Sequence, residues 1–443
     1  MVFSSHIFIF YFLALILGAY YFSPRRLKHL VLTLGSYLFY AWWNPWFVLL
    51  MIASTIIDFL CGKIIFNSTP EKAQRKIGLL ISIAANLSIL GFFKYGNFFA
   101  ENVSILARSI GLGEIVLPEF FNKIILPIGI SFYTFQSMSY TIDIYRKKAL
   151  PAENFLTFAC YVSMFPQLVA GPIVRYSDIA KQLKNRIHSA GSFIYGFTRF
   201  NYGFAKKILL ANPVGEIADL CFSAGQSSLS TPAAWLGVIC YAFQIYFDFS
   251  AYSDMAIGLG RMFGFTFREN FDSPYKSGSI TEFWRRWHIS LSSFLKDYLY
   301  IPLGGNRKGT SRTYVNLIIV MFLGGLWHGA QWTFVIWGLI HGSILVIERI
   351  SRKNKLGGKL PRPIKVILTF IIILIAWVFF RAENINIALN YLSKMFGVGE
   401  SGQSAEILLG QVTRPMACFM MLISCFAIFV MPNTGNCLKK LTK

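Results

Sequence analysis

Long apolar runs separated by short polar segments recur along the whole chain. A helix that spans a bilayer needs about 20 predominantly apolar residues, and a shorter run can draw on its flanking residues. Each run therefore predicts a membrane-spanning helix. We expect the first run to be kept as a span, because no Lys or Arg precedes its apolar core as in a secretory signal. The runs lie near 7–22, 30–43, 46–61, 77–93, 124–142, 190–211, 233–258, 316–347, 364–380 and 416–432.

A further apolar run, 154–174, is interrupted by Pro166, Gly171 and Pro172. Non-helical backbone at membrane depth is tolerated only where it is buried in protein or lines a water-filled cavity. This run therefore predicts a re-entrant segment rather than a span.

The run 316–347 is too long for one span and contains Gly324, Gly325 and Gly329, which predict a broken or tightly turned pair of helices. The whole pattern predicts an all-α, polytopic membrane protein with about 10–12 transmembrane helices and re-entrant segments. We expect one membrane-embedded domain over residues 1–443.

The longest polar stretch, 259–313, contains a second kind of pattern. Ser279 and Glu282 have the spacing of a capping box, which marks the start of a helix. Apolar and aromatic residues follow at helical spacing, and basic residues fall on the other faces. We predict one amphipathic helix lying at the cytoplasmic interface of the membrane. Its apolar side would contain Trp284, Trp287, His288, Leu291, Leu295 and Tyr298.

Composition supports the membrane assignment. The 443 residues are 55% hydrophobic and only 14% charged, too little charge to cover a soluble surface, where about 25% is usual. The formal net charge of +22 comes from Lys and Arg in the loops, which indicates orientation by the positive-inside rule rather than nucleic-acid binding. The rule places the N-terminus outside. It places the basic stretches 25–28, 146–148, 175–186, 261–312 and 349–365 in the cytoplasm.

Lys206 and Lys207 are the exception to this orientation, because they fall near the outer end of their run. A lysine within the membrane is costly and usually faces a cavity. Asp248 and Asp254 lie within another predicted span, six residues apart, and each needs a partner there. Two interpretations stay open for the acids: hydrogen bonding between helices, or the polar wall of a substrate tunnel.

Two histidines are candidates for chemistry. His328 follows two glycines and a tryptophan inside an apolar run, where an ionisable residue suggests function. A neutral imidazole there could act as a general base, or it could bond a backbone carbonyl at a helix contact. His288 could serve proton transfer or could be an ordinary interfacial residue. For His341 we favour a plain helix contact.

Other chemistry is not indicated by the chain. The seven cysteines have no C-x-x-C spacing, so the sequence predicts neither a disulfide framework nor a zinc site, and we expect no bound metal. No phosphate-binding loop, Gly-x-Ser-x-Gly elbow or His-Glu-x-x-His motif is present, so a serine nucleophile is not indicated.

Four long segments together resemble the membrane-bound O-acyltransferase (MBOAT) family. The likeness is to its bacterial branch that O-acetylates polysaccharides such as alginate, and the segment 166–172 fits that branch too. The four segments are 244–258 (QIYFDFSAYSDMAIG), 281–292 (TEFWRRWHISLS), 297–307 (DYLYIPLGGNR) and 324–330 (GGLWHGA).

The resemblance implies a ring of helices around a central tunnel. By position, His328 matches the family's catalytic histidine and His288 its second functional histidine. We expect substrate-binding residues around them: Arg285, Arg286, Trp287, Asp248, Asp254 and Trp327.

The implied reaction takes an acetyl group from a cytoplasmic thioester, with acetyl-CoA as the expected donor and no tightly bound cofactor. The group would cross the cytoplasmic (inner) membrane of a bacterium. It would reach an extracytoplasmic polysaccharide with the help of a separate periplasmic or extracellular acetyltransferase partner. We also expect membrane lipids as partners, and we expect no nucleic acid.

Two alternatives remain at this point. One is a D-alanyl or other acyl exporter of the same family that serves a cell-wall polymer. The other is a transporter or channel without chemistry, although we find no inverted repeat, which would favour a transporter.

Overall fold

The computed structural model describes residues 1–69, 72–112, 125–169, 171–353, 360–399 and 402–441. Across these residues the protein is built from helices and contains no strand. Three parts of the predicted pattern lie outside the described residues: Ala170, the start of the run 124–142, and 354–359 of the basic stretch 349–365.

The first compact unit comprises Met1–Phe200 and Met255–Arg268. Aromatic residues from its first helices pack with Phe165 in its interior; Phe12 and Phe165, for example, meet edge to face at 5.3 Å. The helices that begin in this unit are Ile7–Phe22, Lys28–Ala41, Trp46–Asn67, Ala73–Ser109, Ile130–Tyr145, Phe155–Ser163, Phe165–Leu168, Tyr176–Lys184 and Ala190–Ala205.

The second compact unit comprises Asn201–Asp254 and Glu269–Lys443. Its core is rich in large aromatic residues, among them Tyr275, Phe283, Trp337 and Trp377, all nearly fully buried. The division into two compact units does not test whether residues 1–443 form one domain, and that stays a prediction. The helices that begin here are Lys206–Ala211 (a π-helix), Asn212–Ser223, Thr231–Met262, Ile280–Arg286, Ile289–Leu295, Lys296–Tyr300 (also π), Thr310–His328, Trp332–Lys353, Arg362–Arg381, Ile385–Met395, Gln403–Val412, Pro415–Phe429 and Thr434–Leu441.

Five helices in the described part of the chain are long and apolar enough to cross a membrane. Two more, bent by 59° at a short break, would together form a sixth span. These helices confirm an all-α, multi-pass membrane protein, while the number of 10–12 spans stays a prediction. The five are Trp46–Asn67, Ala73–Ser109, Thr231–Met262, Trp332–Lys353 and Arg362–Arg381, and the bent pair is Gln403–Val412 with Pro415–Phe429.

The predicted interruption of 154–174 is confirmed, because two short helices are followed by extended chain. This irregular backbone is buried and finds its hydrogen bonds inside the protein, as membrane depth requires. The Tyr161 hydroxyl donates to the Val174 carbonyl at 3.0 Å, and the Gln167 side chain donates to the Tyr161 carbonyl at 2.6 Å.

The predicted pair of helices within 316–347 is also confirmed. The first helix runs through Gly324 and Gly325 and ends at His328, so the break comes at Gly329 rather than earlier. A Cβ atom on Gly325 would lie 2.2 Å from the Phe334 carbonyl oxygen of the second helix. Only glycine permits this approach of two backbones, and such close packing is what joins helices in lipid.

The single amphipathic helix predicted after Ser279 is wrong. The Ser279 cap exists, since its hydroxyl accepts from the Glu282 N–H at 3.0 Å, but the helix ends at Arg286 and a new one begins at Ile289. The backbone groups freed by the break bond to the preceding segment: Asp272 N–H donates to the Arg286 carbonyl, and Ile289 N–H donates to the Asn270 carbonyl, both at 2.9 Å.

Candidate active site

His328 is the last residue of the helix Thr310–His328, immediately before the turn into Trp332–Lys353. Its half-buried ring lies among three aromatic rings. The ring centroids of Trp327, Trp337 and Phe380 are 4.9, 5.1 and 5.0 Å away, each meeting the imidazole edge to face. This cage fixes the plane of the imidazole.

His288 occupies the break between the two short helices and is fully buried. Its backbone is left-handed, with φ 44° and ψ 55°. For a residue with a Cβ this conformation costs about 1–2 kcal/mol, and such strain is common at functional sites. The break therefore turns a side chain that the sequence placed near an interface into the protein interior.

The hydrogen bonds around His288 define its tautomer. Asn270 Oδ1 accepts from the backbone N–H of Ser290 at 3.1 Å and lies 3.2 Å from His288 Nδ1. Because this amide oxygen can only accept, Nδ1 carries the proton and Nε2 presents its lone pair. Nε2 has no hydrogen-bond partner among the described residues. Burial lowers the pKa of His288 to about 3, so the ring is neutral at physiological pH.

The Trp327 ring lies in contact with the rings of both histidines. Its indole centroid is 6.0 Å from that of the His288 ring and 4.9 Å from that of the His328 ring. The structure thus brings together three residues that the sequence singled out, although His288 and His328 are separated by forty positions of chain. Both imidazoles contact one buried ring, so a change at either would be felt by the other.

A cavity of about 410 Å³ opens beside His328. Small-molecule sites usually enclose about 300–1,000 Å³ of mostly apolar wall with a few placed polar groups, as here. His328, Trp287 and Asp248 line it, whereas His288 lies behind Phe249, whose ring centroid is 4.6 Å from its own. The remaining lining residues are Tyr241, Gln244, Ile245, Tyr252, Trp377 and Phe380.

The two acids of the helix Thr231–Met262 form ion pairs with the two exceptional lysines. Lys207 Nζ lies 2.7 Å from Asp248 Oδ1, and Lys206 Nζ lies 2.5 Å from Asp254 Oδ2. The Asp248 side chain is 31% exposed and faces the cavity, whereas the Asp254 side chain is 7% exposed and is not part of the cavity wall. The sequence identified all four charges but not their pairing.

The geometry of the helices explains the pairing. Six residues on an α-helix separate two side chains by about 120°, so Asp248 and Asp254 point in different directions. Consecutive residues Lys206 and Lys207 also diverge, and they begin the π-helical turn Lys206–Ala211. A widened turn of this kind is rare in proteins, but where it does occur it often lies at a functional site. It gives each lysine its own carboxylate.

Arg285 and Arg286 differ in their surroundings. Arg286 Nε lies 3.0 Å from a Glu282 oxygen, and its Nη1 donates to the Asp272 carbonyl at 3.1 Å. These contacts hold the break between the short helices in place. Arg285 is exposed. Of the two arginines predicted to bind substrate, only Arg285 presents an exposed side chain.

Sequence reasoning did not single out Gln244 as a site residue. Gln244 lines the cavity, and its buried Oε1 has no hydrogen-bond partner among the described residues. The sequence signal available for Gln244 was a polar amide within an apolar run, at the first position of the segment 244–258. His341 agrees with the plain interpretation: it is buried at a helix contact and its Nδ1 accepts from the Trp284 indole at 3.4 Å.

A family model described as "MBOAT, membrane-bound O-acyltransferase family" matches residues 145–387, which include every candidate site residue. With the membrane helices and the cavity, this match defines the protein as a multi-pass membrane enzyme that transfers acyl groups to oxygen. The chain belongs to the membrane-bound O-acyltransferase family.

Curated relatives extend over most of the chain. It is 48% identical to a probable alginate O-acetylase of Azotobacter vinelandii over 400 residues, 90% of this chain and 79% of the relative. It is 39% identical to a peptidoglycan O-acetyltransferase of Helicobacter pylori, covering 90% of this chain and 80% of the relative. A teichoic acid D-alanyltransferase of Streptococcus thermophilus is 30% identical over 53% of this chain and 62% of its own length. The resemblance read from the sequence is confirmed.

Proposed function

We propose that this membrane O-acyltransferase takes an acetyl group from cytoplasmic acetyl-CoA and passes it across a bacterial inner membrane to hydroxyl groups of an extracytoplasmic polysaccharide such as alginate. His328 acts as the general base. The observation that carries the proposal is the placement of His328, at the end of its helix, on the wall of a mostly apolar cavity. The high identity to probable alginate O-acetylases supports the choice of acetyl group and polymer.

The proposed step moves one proton from the acceptor hydroxyl to His328 and then to the thiolate of the donor. His328 removes the proton of an acceptor hydroxyl as its oxygen attacks the thioester carbonyl carbon. The tetrahedral adduct then expels the thiolate of the donor, which takes the proton back from the imidazolium. A new oxygen–carbon bond replaces the sulfur–carbon bond, and the histidine is regenerated. The aromatic cage holds the imidazole in one orientation throughout, which favours a near-attack geometry.

His288 has a supporting part in this proposal. Its neutral ring with a bare Nε2 can accept a hydrogen bond but is a poor base, because burial opposes its protonation. Its contact with Trp327 couples it to the ring that packs on His328. We assign His288 to positioning and His328 to proton transfer.

We propose that the donor approaches from the side of the membrane predicted to be cytoplasmic, where the basic stretches lie. The stretch 261–312 is rich in Lys and Arg and would attract the phosphates of acetyl-CoA. Arg285 is the exposed member of the predicted donor-binding pair, whereas Arg286 is engaged by Glu282 and Asp272. A donor that stays in the cytoplasm would spare the cell the export of a highly charged molecule.

A separate extracytoplasmic partner is proposed to receive the acetyl group. The positive-inside rule also predicts that residues 212–232 and 381–413 lie outside. Residues of both stretches line a second cavity of about 480 Å³. Its polar wall includes Arg381, Glu383 and Asn390. A cavity that presents polar side chains between these stretches is a suitable place for an acceptor or its carrier to bind.

Peptidoglycan is the second candidate polymer, because a relative of that activity matches 90% of the chain at 39% identity. The D-alanyl alternative has weaker support, since the corresponding relative matches only 53% of the chain. Family membership argues against a conduit without chemistry.

The proposed mechanism is tested by replacing the base. Loss of a general base costs about 10²–10⁴-fold in rate, so His328→Ala should reduce acetyl transfer by about that factor while membrane insertion stays normal. The measurement is transfer of labelled acetyl from acetyl-CoA to polymer by purified protein in lipid nanodiscs with its partner. His6→Ala is the matched control, because His6 is exposed and remote in sequence from the site. Near-normal transfer by His328→Ala would exclude the mechanism.

A further inference from the structure

A cluster of basic side chains in the first unit takes no part in the proposed reaction. Arg25 and Lys28 follow the first helix, and Arg186 and His188 precede the helix Ala190–Ala205. We call these four residues the Arg186 cluster. Arg25, Lys28 and Arg186 lie in the stretches 25–28 and 175–186, which the positive-inside rule places in the cytoplasm, and His188 follows two residues later.

The charge of the Arg186 cluster is not balanced by the protein. Nearby carboxylates are engaged elsewhere: Glu153 pairs with Lys184 at 2.7 Å, and Asp178 pairs with Arg268 at 2.5 Å. In the described part of the chain neither Lys28 nor Arg186 forms an ion pair, and the buried Nη1 of Arg186 has no hydrogen-bond partner.

The pKa of His188 shows the same imbalance. Burial lowers the pKa of this histidine, and the positive charges of Lys28, Arg186 and Arg25 lower it further. Among the described residues the opposing effect comes from a backbone hydrogen bond at Phe263 rather than from a carboxylate.

Aromatic rings hold the cations in place. Lys28 Nζ lies 4.3 Å from the ring centroid of Tyr20, and the Arg186 guanidinium lies 4.7 Å from that of Phe265. The Tyr20 hydroxyl donates to the Phe263 carbonyl at 2.9 Å, so it accepts from His188 Nε2, also at 2.9 Å. The cluster is therefore pre-organised rather than a set of mobile surface side chains, which lowers the cost of binding an anion.

A cavity of about 440 Å³ adjoins the cluster at His188. Its wall is mostly apolar and includes Tyr21, Phe193 and Ile194. Phe22, immediately after Tyr21, is 94% exposed, and Ile194 is 63% exposed. On a membrane protein such surfaces face acyl chains, so fixed cations here border a lipid-facing apolar groove.

We propose that the Arg186 cluster binds the phosphate of an anionic phospholipid of the cytoplasmic leaflet, with an acyl chain in the adjoining groove. A phospholipid phosphate carries the missing negative charge and is joined to the apolar chain that the groove accepts. A soluble phosphate would satisfy the cations but leave the groove to water. This site is independent of the proposed acetyl transfer.

The test is a lipid titration of the purified full-length protein in a neutral detergent. A ligand that binds only the folded state raises the melting temperature in a saturable way. We expect phosphatidylglycerol to do so, and phosphatidylcholine or inorganic phosphate at the same concentration to have no such effect. Each removed charge should weaken the apparent affinity roughly fivefold, from about 1 kcal/mol per basic residue. Lys28→Gln with Arg186→Gln should therefore weaken it about 25-fold.

Arg26→Gln is the matched control, because Arg26 is exposed in the same loop and its loss changes the net charge equally. Its titration should match that of the unaltered protein. Arg186→Lys keeps the positive charge, so phosphatidylglycerol should still raise its melting temperature in a saturable way. This variant tests the proposal if the glutamine variants fail to fold. The proposal is overturned if phosphatidylglycerol gives no shift, if inorganic phosphate gives an equal one, or if Arg26→Gln weakens binding as much as Arg186→Gln.

Discussion

Asp248 lines the cavity beside His328 and forms an ion pair with Lys207. A single charge at the centre of a bilayer costs about 2.5–3.5 kcal/mol on insertion scales, and pairing removes most of that penalty. The Asp248 side chain nevertheless keeps 31% of its surface exposed, in contrast to 7% for Asp254. A carboxylate held in place by one lysine and still exposed to the cavity can accept a hydrogen bond from a substrate hydroxyl.

Substitutions at Lys207 and Asp248 can separate a structural role of the ion pair from a role in binding substrate. Asp248→Asn leaves the Lys207 cation unpaired and should lower both the melting temperature and kcat/KM. The double variant Lys207→Met, Asp248→Asn removes both charges, and replacing a whole buried pair is often neutral for stability, so its melting temperature should recover. Its kcat/KM should stay about 10- to 100-fold low, as expected for a lost charge-assisted hydrogen bond. Recovery of both quantities would show that the pair is only structural.

At the scale of single residues, candidate residues were easier to identify from the sequence than the side chains that surround them. His328 and His288 stood out because ionisable residues are rare in apolar or amphipathic segments. The burial of His288 was not predictable, since it follows from the left-handed backbone at that residue and from Asn270, eighteen positions earlier. Long-range partners of this kind leave no periodic signal. The roles assigned to both histidines stay predictions.

At the scale of elements, the hairpin of Thr310–His328 and Trp332–Lys353 sets the position of His328. Its helices touch backbone to backbone: a Cβ atom on Gly338 would lie 2.4 Å from the Met321 carbonyl oxygen. The second helix also carries Glu348, whose carboxylate accepts from the N–H groups of Ile280 and Thr281 at 2.5 and 3.0 Å. The short helix that leads to His288 is thereby tied to the hairpin that contains His328.

A methyl group in the hairpin contact should therefore damage the site. Gly338→Ala must push the two helices apart, and overpacking of this kind typically costs about 1–3 kcal/mol. We expect a lower melting temperature in detergent, together with reduced acetyl transfer. Gly410→Ala is the control, because nothing lies within 4 Å of the added Cβ in the last turn of the helix Gln403–Val412. That variant should be as stable as the parent or slightly more so. Equal melting temperatures for the two variants would contradict the argument.

The failed element prediction has a physical cause. Residues 279–298 have the spacing of one continuous helix, and local propensity offers nothing against it. The helix breaks because the segment 270–272 supplies hydrogen-bond partners for the backbone on both sides of Trp287 and His288. Tertiary contacts outweighed the local pattern here. Where glycine and proline interrupt a run, as in 154–174 and 316–347, the break itself was predictable from sequence.

At the scale of the whole molecule, orientation rests on the distribution of Lys and Arg. All-α, multi-pass architecture was predictable because apolar runs of span length have few alternative structures. The arrangement of a ring around a tunnel was implied only by resemblance and stays a prediction. The count of spans was less predictable, because several runs form helices shorter than a bilayer requires, such as Lys28–Ala41.

Labelling of single cysteines tests the orientation. Lys308→Cys lies in the basic stretch predicted to be cytoplasmic, and Ser227→Cys lies in a loop predicted to be outside; both positions are exposed. In a background without the native cysteines, a membrane-impermeant maleimide added to intact cells should label Ser227→Cys and spare Lys308→Cys until the membrane is opened. Labelling of Lys308→Cys in intact cells would reverse the proposed direction of transfer.

The paired lysines and aspartates also bear on the energised membrane. A transmembrane voltage does about 2.3 kcal/mol of work on each elementary charge per 100 mV, which would pull an unpaired lysine or aspartate toward one face. In the segment around the cavity, Lys206 and Lys207 are cancelled by Asp254 and Asp248 within single ion-pair distances. These four side chains together carry no net charge, so the field exerts little net force on them. Asp248 can thus keep its place in the cavity wall as the membrane potential changes.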